Sequence, residues 1–153
     1  MHNIRRSDRA IEKEEALDIL KKGEYGVLST AGSDNQPYGV PVNFCVIDNS
    51  IYFHCAIEGR KIDNFACNPK VSFCVVGNTR VLPSKFGTEY ESTIVSGMLS
   101  EAFDKEKQKA IEGLLRKYSS GHFEEGLKYI DTLKEKTRVF RIAIETITGK
   151  SRR

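Results

Sequence analysis

The sequence of 153 residues lacks any long hydrophobic run, and its most apolar stretches fall far short of the roughly 20 residues that a membrane-spanning helix requires. The basic segment 1–9 is not followed by the apolar stretch of a signal peptide. A strong excess of one charge is also lacking, since 24 Lys and Arg against 21 Asp and Glu leave a formal net charge of +3. We therefore expect a cytoplasmic protein with no membrane segment and no nucleic-acid surface.

Cysteine is scarce, and its spacing is typical of neither a metal site nor a disulfide framework. The four residues Cys45, Cys55, Cys67 and Cys74 show no CxxC pattern and no histidine at zinc-ligand spacing. Three of them lie in apolar, strand-like stretches, where a reduced cysteine behaves as a small hydrophobic residue. We expect buried, inert thiols and no metal ion, with Cys55 left open because of its neighbours.

The hydrophobic pattern predicts one mainly β domain over residues 1–153, with peripheral helices. Short turns join the first three strand-like segments, which is typical of an antiparallel meander. We predict a six-stranded antiparallel barrel, because closure removes exposed sheet edges. The predicted strands are 25–30, 38–47, 51–56, 70–76, 91–103 and 137–147, the predicted helices are 9–22, 58–67, 104–118 and 124–133, and 77–90 is predicted to be a long loop.

The strand-like stretch 71–76 has almost no polar residue in alternate positions. A strand of this kind is covered on both faces. For a barrel this small, we expect a second copy of the chain to cover the outer face.

One segment joins the end of a predicted strand to a helix that begins with two adjacent cations, Arg60 and Lys61. The free N–H groups and the positive dipole end of a helix N-terminus favour an anion. Two cations in that first turn are unfavourable for the helix alone but favourable beside a phosphate. On these residues alone, the alternative of two solvated surface cations stays open.

Several segments occur in the order and spacing of a known family. The segments 27–30, 54–56, 59–61 and 68–73 resemble the FMN-binding split barrel of the pyridoxamine 5'-phosphate oxidase-like flavoproteins. Within that superfamily, the segments 6–9, 26–30, 37–43 and 147–150 resemble the 5-nitroimidazole resistance proteins. The similarity extends over nearly the whole chain.

The resemblance implies an FMN site between two subunits. The Arg60–Lys61 pair would hold the FMN phosphate, the strand end 54–56 would run beside the flavin and ribityl chain, and the first strand would add backbone and small polar contacts. Ser92 would reach the flavin from the second subunit. The implied cofactor-binding residues are Val27, Leu28, Ser29, Thr30, His54, Cys55, Ala56, Arg60, Lys61 and Ser92. Asn43 is a further candidate for a hydrogen bond to the flavin edge or the substrate, with a strand-end cap as the alternative.

His54 and Cys55 are adjacent on one strand, so their side chains must point to opposite faces. A buried imidazole needs partners for both ring nitrogens, whereas a buried thiol does not. We therefore expect His54 in the cleft, where it is the candidate catalytic residue, and Cys55 in the barrel interior.

The departures from the family pattern restrict the substrate. Tryptophan is absent and the chain ends in the basic segment 150–153, whereas true pyridoxamine phosphate oxidases hold pyridoxal phosphate with a C-terminal Trp and Arg. The resemblance implies a homodimeric FMN-dependent oxidoreductase acting on a small electrophile such as a nitroaromatic, with a reduced nicotinamide among the candidate donors. The alternatives are a non-catalytic flavin-binding or redox-sensing module and a haem-binding relative.

Overall fold

The computed structural model describes residues 3–153 and forms a single antiparallel sheet flanked by helices. The strands are β1 (Gly26–Ala31), β2 (Pro37–Val42), β3 (Cys45–Ile47), β4 (Ser50–Ala56), β5 (Lys70–Leu82), β6 (Gly87–Ala102) and β7 (Thr137–Arg152), and the helices are α1 (Lys13–Lys22), α2 (Arg60–Cys67), α3 (Asp104–Tyr118) and α4 (Phe123–Leu133). The strand order is β2-β1-β5-β6-β7-β4-β3. The predicted mainly β, antiparallel fold with peripheral helices is confirmed, with seven strands in the described chain where six were predicted.

The predicted strand 38–47 is two strands, because the chain crosses there from one edge of the sheet to the other. Strands β2 and β3 are the two edges, and only Asn43 and Phe44 separate them. Three Cα–Cα steps, from Val42 to Cys45, span at most about 11 Å, so the edges lie close together at the crossing. No β2–β3 pairing exists within residues 3–153. The sheet therefore curls into a barrel that is split between these edges.

The interior of the barrel is filled by side chains from alternate positions on each strand, as the two-residue period requires. Leu28, Phe73 and Val95 occupy directly paired positions on β1, β5 and β6, and none of them is exposed. Burying a side chain of this size contributes about 1.5–3 kcal/mol to the free energy of unfolding. Other fully buried interior residues are Phe44, Ile51, Phe53, Val75 and Ile142.

Two helices cover the ends of the barrel. At the α1 end, the hydroxyl of the fully buried Thr93 donates a hydrogen bond of 2.7 Å to the carbonyl of Ala16. At the α2 end, Phe65 packs against Phe53 and Phe140, with ring centroids 6.0 and 5.1 Å apart. The position of α2 matters for function, because its first turn carries the predicted cation pair.

Helix α3 lies outside the barrel and covers β3, β4 and β7, and α4 packs against α3. A second apolar cluster joins α3 to these strands, and it contains Cys45, Tyr52, Ala102, Ala110, Ile111, Leu114 and Val139. The Tyr52 hydroxyl donates a hydrogen bond of 2.8 Å to the carboxylate of Glu106, which fastens the start of α3 to β4.

The prediction of a loop over 77–90 is wrong. Strands β5 and β6 continue as a long hairpin that pairs as far as Leu82 and Gly87. Gly77 lies at a register shift between Val76 and Thr79, and Pro83 begins the short turn at the tip. A hairpin tolerates glycine at a bulge and proline at its tip. Gly77 and Pro83 therefore interrupt the hydrophobic pattern of the sequence without ending the strands.

The first helix begins later and the last strand ends later than predicted, because the two terminal segments of the described chain form hydrogen bonds with each other. The helix predicted to begin at residue 9 begins at Lys13, and before it the N–H of Ile11 donates to the carbonyl of Gly149 at 3.1 Å. Strand β7 continues beyond the predicted residue 147 to Arg152, where it pairs with Tyr90 of β6. Among residues 3–153, no helix is both long and apolar enough to cross a membrane.

Candidate functional site

The open edge of β4 is the first component of the candidate site. Strand β7 pairs with β4 as far as Ala56, whereas β3 pairs with it only as far as Tyr52. The side of segment 53–56 that faces away from β7 therefore has no strand partner within the described chain. Backbone N–H and C=O groups on such an edge need a partner, which water or a ligand can supply.

The N-terminus of α2 follows this edge directly and concentrates hydrogen-bond donors. Gly59 precedes the helix with φ +149°, a conformation open essentially to glycine alone. The first intrahelical bond runs from the N–H of Asp63 to the carbonyl of Gly59 at 3.1 Å, which leaves the three preceding N–H groups outside the helix ladder. Arg60 and Lys61 add a guanidinium and an ammonium in the same turn. The combination favours a bound anion.

Helix α2 is fastened to the β1–β2 hairpin by side chains. The buried Asn64 amide donates a hydrogen bond of 3.0 Å to the Thr30 hydroxyl, and this hydroxyl in turn donates to the carbonyl of Tyr38 at 3.5 Å. The Arg60 guanidinium stacks over the Tyr38 ring, 4.7 Å from the centroid. These contacts position the start of α2 against the end of β1, so the strand edge, the cations and Thr30 lie together.

The remaining predicted residues of β1 divide between the two faces of the sheet. Leu28 is fully buried in the barrel core and Thr30 is 4% exposed with its hydroxyl bonded inside the chain, so only their backbones can reach a ligand. Val27 and Ser29 point outward, beside Cys74 and Ser72 of β5. Sequence periodicity could have found this division, since it follows from alternation.

Ser92 and Asn43 occupy different surroundings. Ser92 lies on β6, paired with Val76 and Lys150, and β7 separates it from β4. The structure thus does not bring Ser92 to the cation pair of its own chain. Asn43 is exposed at the crossing between β2 and β3 and lines the same cavity as His54.

His54 and Cys55 point to opposite faces of β4, with Cys55 in the barrel core and the imidazole outside it. The loss of water around the imidazole, caused by the neighbouring side chains, lowers the pKa of His54 below its usual value, and the charge of Lys61 lowers this pKa further. The lowered pKa favours the neutral imidazole at pH 7, which has one N–H donor and one acceptor nitrogen. Burial raises the pKa of the Cys55 thiol, so the thiol stays protonated and is a poor nucleophile.

A cavity of about 210 Å³ lies beside His54, and no sequence pattern predicted it. Helices α3 and α4 form most of its wall, with His54, Asn43 and Thr137 on the side of the sheet. The sequence signal for this cavity was the apolar face of α4, but such a face normally indicates a helix that packs against the core of the protein. The structure shows that α4 has no fully buried residue, so much of that face borders the cavity.

Comparison with known proteins identifies the family. The family model described as pyridoxamine 5'-phosphate oxidase matches residues 12–151. The chain belongs to this family. No curated protein matches the chain.

Solved structures share the fold of this member of the pyridoxamine 5'-phosphate oxidase family. A protein ascribed to 5-nitroimidazole antibiotic resistance from Bacteroides thetaiotaomicron is 23% identical, with a TM-score of 0.79 over 92% of this chain and 85% of that one. An FAD-binding protein from Mesorhizobium loti is 25% identical, with a TM-score of 0.67 over 95% and 98% of the two chains. The haem storage protein of Vibrio cholerae is 15% identical, with a TM-score of 0.67 over 90% and 94%.

The C-terminal segment of this pyridoxamine 5'-phosphate oxidase family member is held by the body of the domain. Strand β7 pairs with β6 through Arg152, and Arg153 forms ion pairs with Glu15 and, at 3.8 Å, with Glu91. Because the whole sequence contains no tryptophan, the C-terminal Trp expected of a pyridoxal phosphate site is missing here.

Proposed function

We propose that this protein is a cytoplasmic, homodimeric FMN-dependent oxidoreductase that acts on small electrophiles such as nitroaromatics. The observation that carries the proposal is the junction of an unpaired strand edge at 53–56 with a helix N-terminus that bears Arg60 and Lys61. The family match and the shared fold with an FAD-binding protein support a flavin as the ligand. The four unpaired cysteines are consistent with a reducing compartment.

The groups at the start of α2 suit a single phosphate monoester. Such a phosphate carries about −1.5 to −2 charges at pH 7, which Arg60 and Lys61 together can match. Three free backbone N–H groups supply directional hydrogen bonds to its oxygens. FMN has one phosphate of this type, and the neighbouring open edge of β4 can bond the polar ribityl chain.

The residues of the chain bind and orient, and bound FMN would supply the two-electron chemistry. The neutral His54 imidazole and the Asn43 amide lie on the same cavity and can donate hydrogen bonds to a polar substituent of the substrate. No Gly-rich dinucleotide fingerprint occurs in the sequence. A reduced nicotinamide would therefore dock directly against the flavin.

Absorbance and turnover test this function. We expect the purified protein, incubated with FMN and desalted, to retain the flavin absorption bands, and to oxidise NADH or NADPH in the presence of a nitroimidazole under anaerobic conditions. Acid release and chromatography would identify FMN or FAD. Bound flavin without turnover with any donor would instead support a binding or redox-sensing module, and a Soret band on incubation with haemin, with no flavin retained, would contradict the proposal.

The outer face of the sheet supports the dimer. Val27, Ile94, Val76 and Met98 project from β1, β5 and β6 on the face opposite the core and are 37%, 46%, 59% and 37% exposed. A patch of apolar side chains on adjacent strands is typical of an interaction site. Ser92 lies on the same face, so a second copy covering it would carry Ser92 toward its partner.

We expect sedimentation to show a species of twice the chain mass of 17.3 kDa at micromolar concentration, because interfaces of obligate dimers bury about 2,000 Å² or more. Ile94→Glu should convert it to a monomer, since an uncompensated charge would be buried at the interface. Phe103→Glu, at an exposed residue beside the start of α3, should leave the dimer intact. A wild-type monomer would contradict both the dimer and the role of Ser92.

A further inference from the structure

Most of the surface of the cavity between α3, α4 and β4 is apolar, although polar side chains are among those that line it. None of the eleven lining residues carries a formal charge when His54 is neutral: Asn43, His54, Ile111, Leu114, Leu115, Tyr118, Ser119, Tyr129, Ile130, Leu133 and Thr137. The nearby cation Lys117 is not among them, and its ammonium lies 3.6 Å from the centre of the Phe44 ring. The charges nearest the cavity are thus positive, since Lys61 acts on His54 and Lys117 lies 5.3 Å from the centre of the Tyr118 ring. A cationic ligand would therefore find no counter-charge in the wall.

Polar side chains lie on both sides of the cavity, with Ser119 and Tyr129 on the side of the helices. The Tyr118 hydroxyl is engaged within the chain, since it accepts from the N–H of Phe44 at 3.0 Å and shares its single proton between the carbonyls of Phe44 and Glu24. His54 and Asn43 remain on the side of the sheet, next to the open edge of β4. A ligand in the cavity would therefore have an apolar body against the helices and a polar substituent toward His54.

The volume limits the occupant to a single ring. An apolar cavity of about 150 Å³ is known to bind benzene, and pockets for drug-sized ligands usually exceed about 300 Å³. The cavity of about 210 Å³ thus accepts one substituted ring. The three fused rings of a flavin would not fit within this volume as a whole, which favours an occupant other than the cofactor.

We propose that this cavity is the binding pocket for an uncharged, single-ring aromatic compound, held by α3 and α4 with its polar substituent at His54 and Asn43. The assignment of this compound as the electron acceptor rests on the proposed function. An acceptor must lie close to the flavin, and His54 adjoins the edge of β4 that would bind the flavin. The binding itself requires no flavin.

The test measures binding of 4-fluoronitrobenzene to the full-length protein by ¹⁹F NMR, without a reductant. Leu133→Phe adds a ring at the cavity wall, and Leu127→Phe makes the same change on α4 outside the lining. We expect Leu133→Phe to weaken binding about 10- to 200-fold, the range for steric changes in a hydrophobic pocket. Leu127→Phe should change binding by no more than about twofold, as a substitution outside the pocket.

If Leu133→Phe does not fold, two further measurements test the same pocket. Leu133→Ala enlarges the cavity and should gain binding of 1-fluoro-4-nitronaphthalene, which the wild type should not bind. The cation 4-fluorobenzylammonium should bind the wild type at least about 10-fold more weakly than 4-fluoronitrobenzene, because the pocket would desolvate its charge and no acidic side chain lines the wall. Absence of 4-fluoronitrobenzene binding, equal binding of the cation, or equal effects of the two Phe variants would overturn the proposal. Flavin retention, measured separately by absorbance, decides the proposed function independently.

Discussion

Replacing Arg60 or Lys61 with alanine is expected to weaken FMN binding about 10- to 150-fold in each single variant. A charge-assisted hydrogen bond to a phosphate contributes about 1.5–3 kcal/mol, and each 1.4 kcal/mol changes the affinity tenfold. Arg60 is exposed and Lys61 half-buried at the start of α2, so their removal should leave the fold intact. Titration of the flavin-free protein with FMN, followed by quenching of flavin fluorescence, measures the effect.

Riboflavin provides the matched control, because it has the same ring and ribityl chain without the phosphate. The affinity of riboflavin should be nearly equal in the wild type and both variants. Lys21→Ala, at an exposed lysine in the last turn of α1, should leave the affinity for FMN unchanged. Arg60→Lys should recover part of the loss, because it keeps the charge but not the bidentate geometry. Unchanged FMN affinity in both alanine variants would mean that the phosphate binds elsewhere.

Gly97→Ala is expected to lower the free energy of unfolding by about 3 kcal/mol, the upper end of the usual range for an added group in a packed interior. Gly97 is buried on β6 at the register shift opposite β7. A Cβ there would lie 2.2 Å from the carbonyl oxygen of Ala143 and 2.9 Å from a methyl group of Ile142. The carbonyl belongs to the backbone of β7, so it cannot move away without disturbing the β6–β7 ladder. Thermal unfolding should show a melting temperature lower by about 6–12 °C.

Gly39→Ala is the control for this substitution. Gly39 is an exposed strand glycine on β2, and a Cβ there would lie 3.4 Å from the nearest side-chain atom of Val27, an ordinary contact. We expect it to be neutral or to stabilise the protein by up to about 1 kcal/mol, because alanine restricts the unfolded chain. A Gly97→Ala variant that unfolds at the temperature of Gly39→Ala would show that the crowding at Ala143 is relieved by a small shift.

Local patterns predicted the elements whose structure depends on near neighbours in the sequence. Helix α3 has the predicted bounds 104–118, because Ile111, Leu114 and Leu115 repeat at helical spacing along one face. The opposite faces of His54 and Cys55 follow from the two-residue period of a strand. The long hairpin at 77–90 was not predictable in this way, since Gly77 and Pro83 have the composition of a loop and only pairing of β5 with β6 shows that they do not end the strands.

The candidate site was only partly predictable, because some of its contacts join residues that are far apart in the sequence. The order of segments along the chain was sufficient to recognise the family and to predict that Arg60 and Lys61 bind an anion. Asn64 and Thr30 lie 34 positions apart, and their hydrogen bond, which ties α2 to β1, exists only in the folded chain.

The sequence by itself therefore determined the mainly β class, the family and the cation pair at a helix start, because these depend on composition, short-range periodicity and the order of motifs. The tertiary structure decided where the barrel is split, which edge of β4 is left unpaired, and that α3 and α4 enclose a cavity beside His54. Those features arise from contacts between segments as distant as β4 and the end of α4. Such contacts depend on how whole elements pack, and no local pattern of residues specifies the space that packing leaves between them.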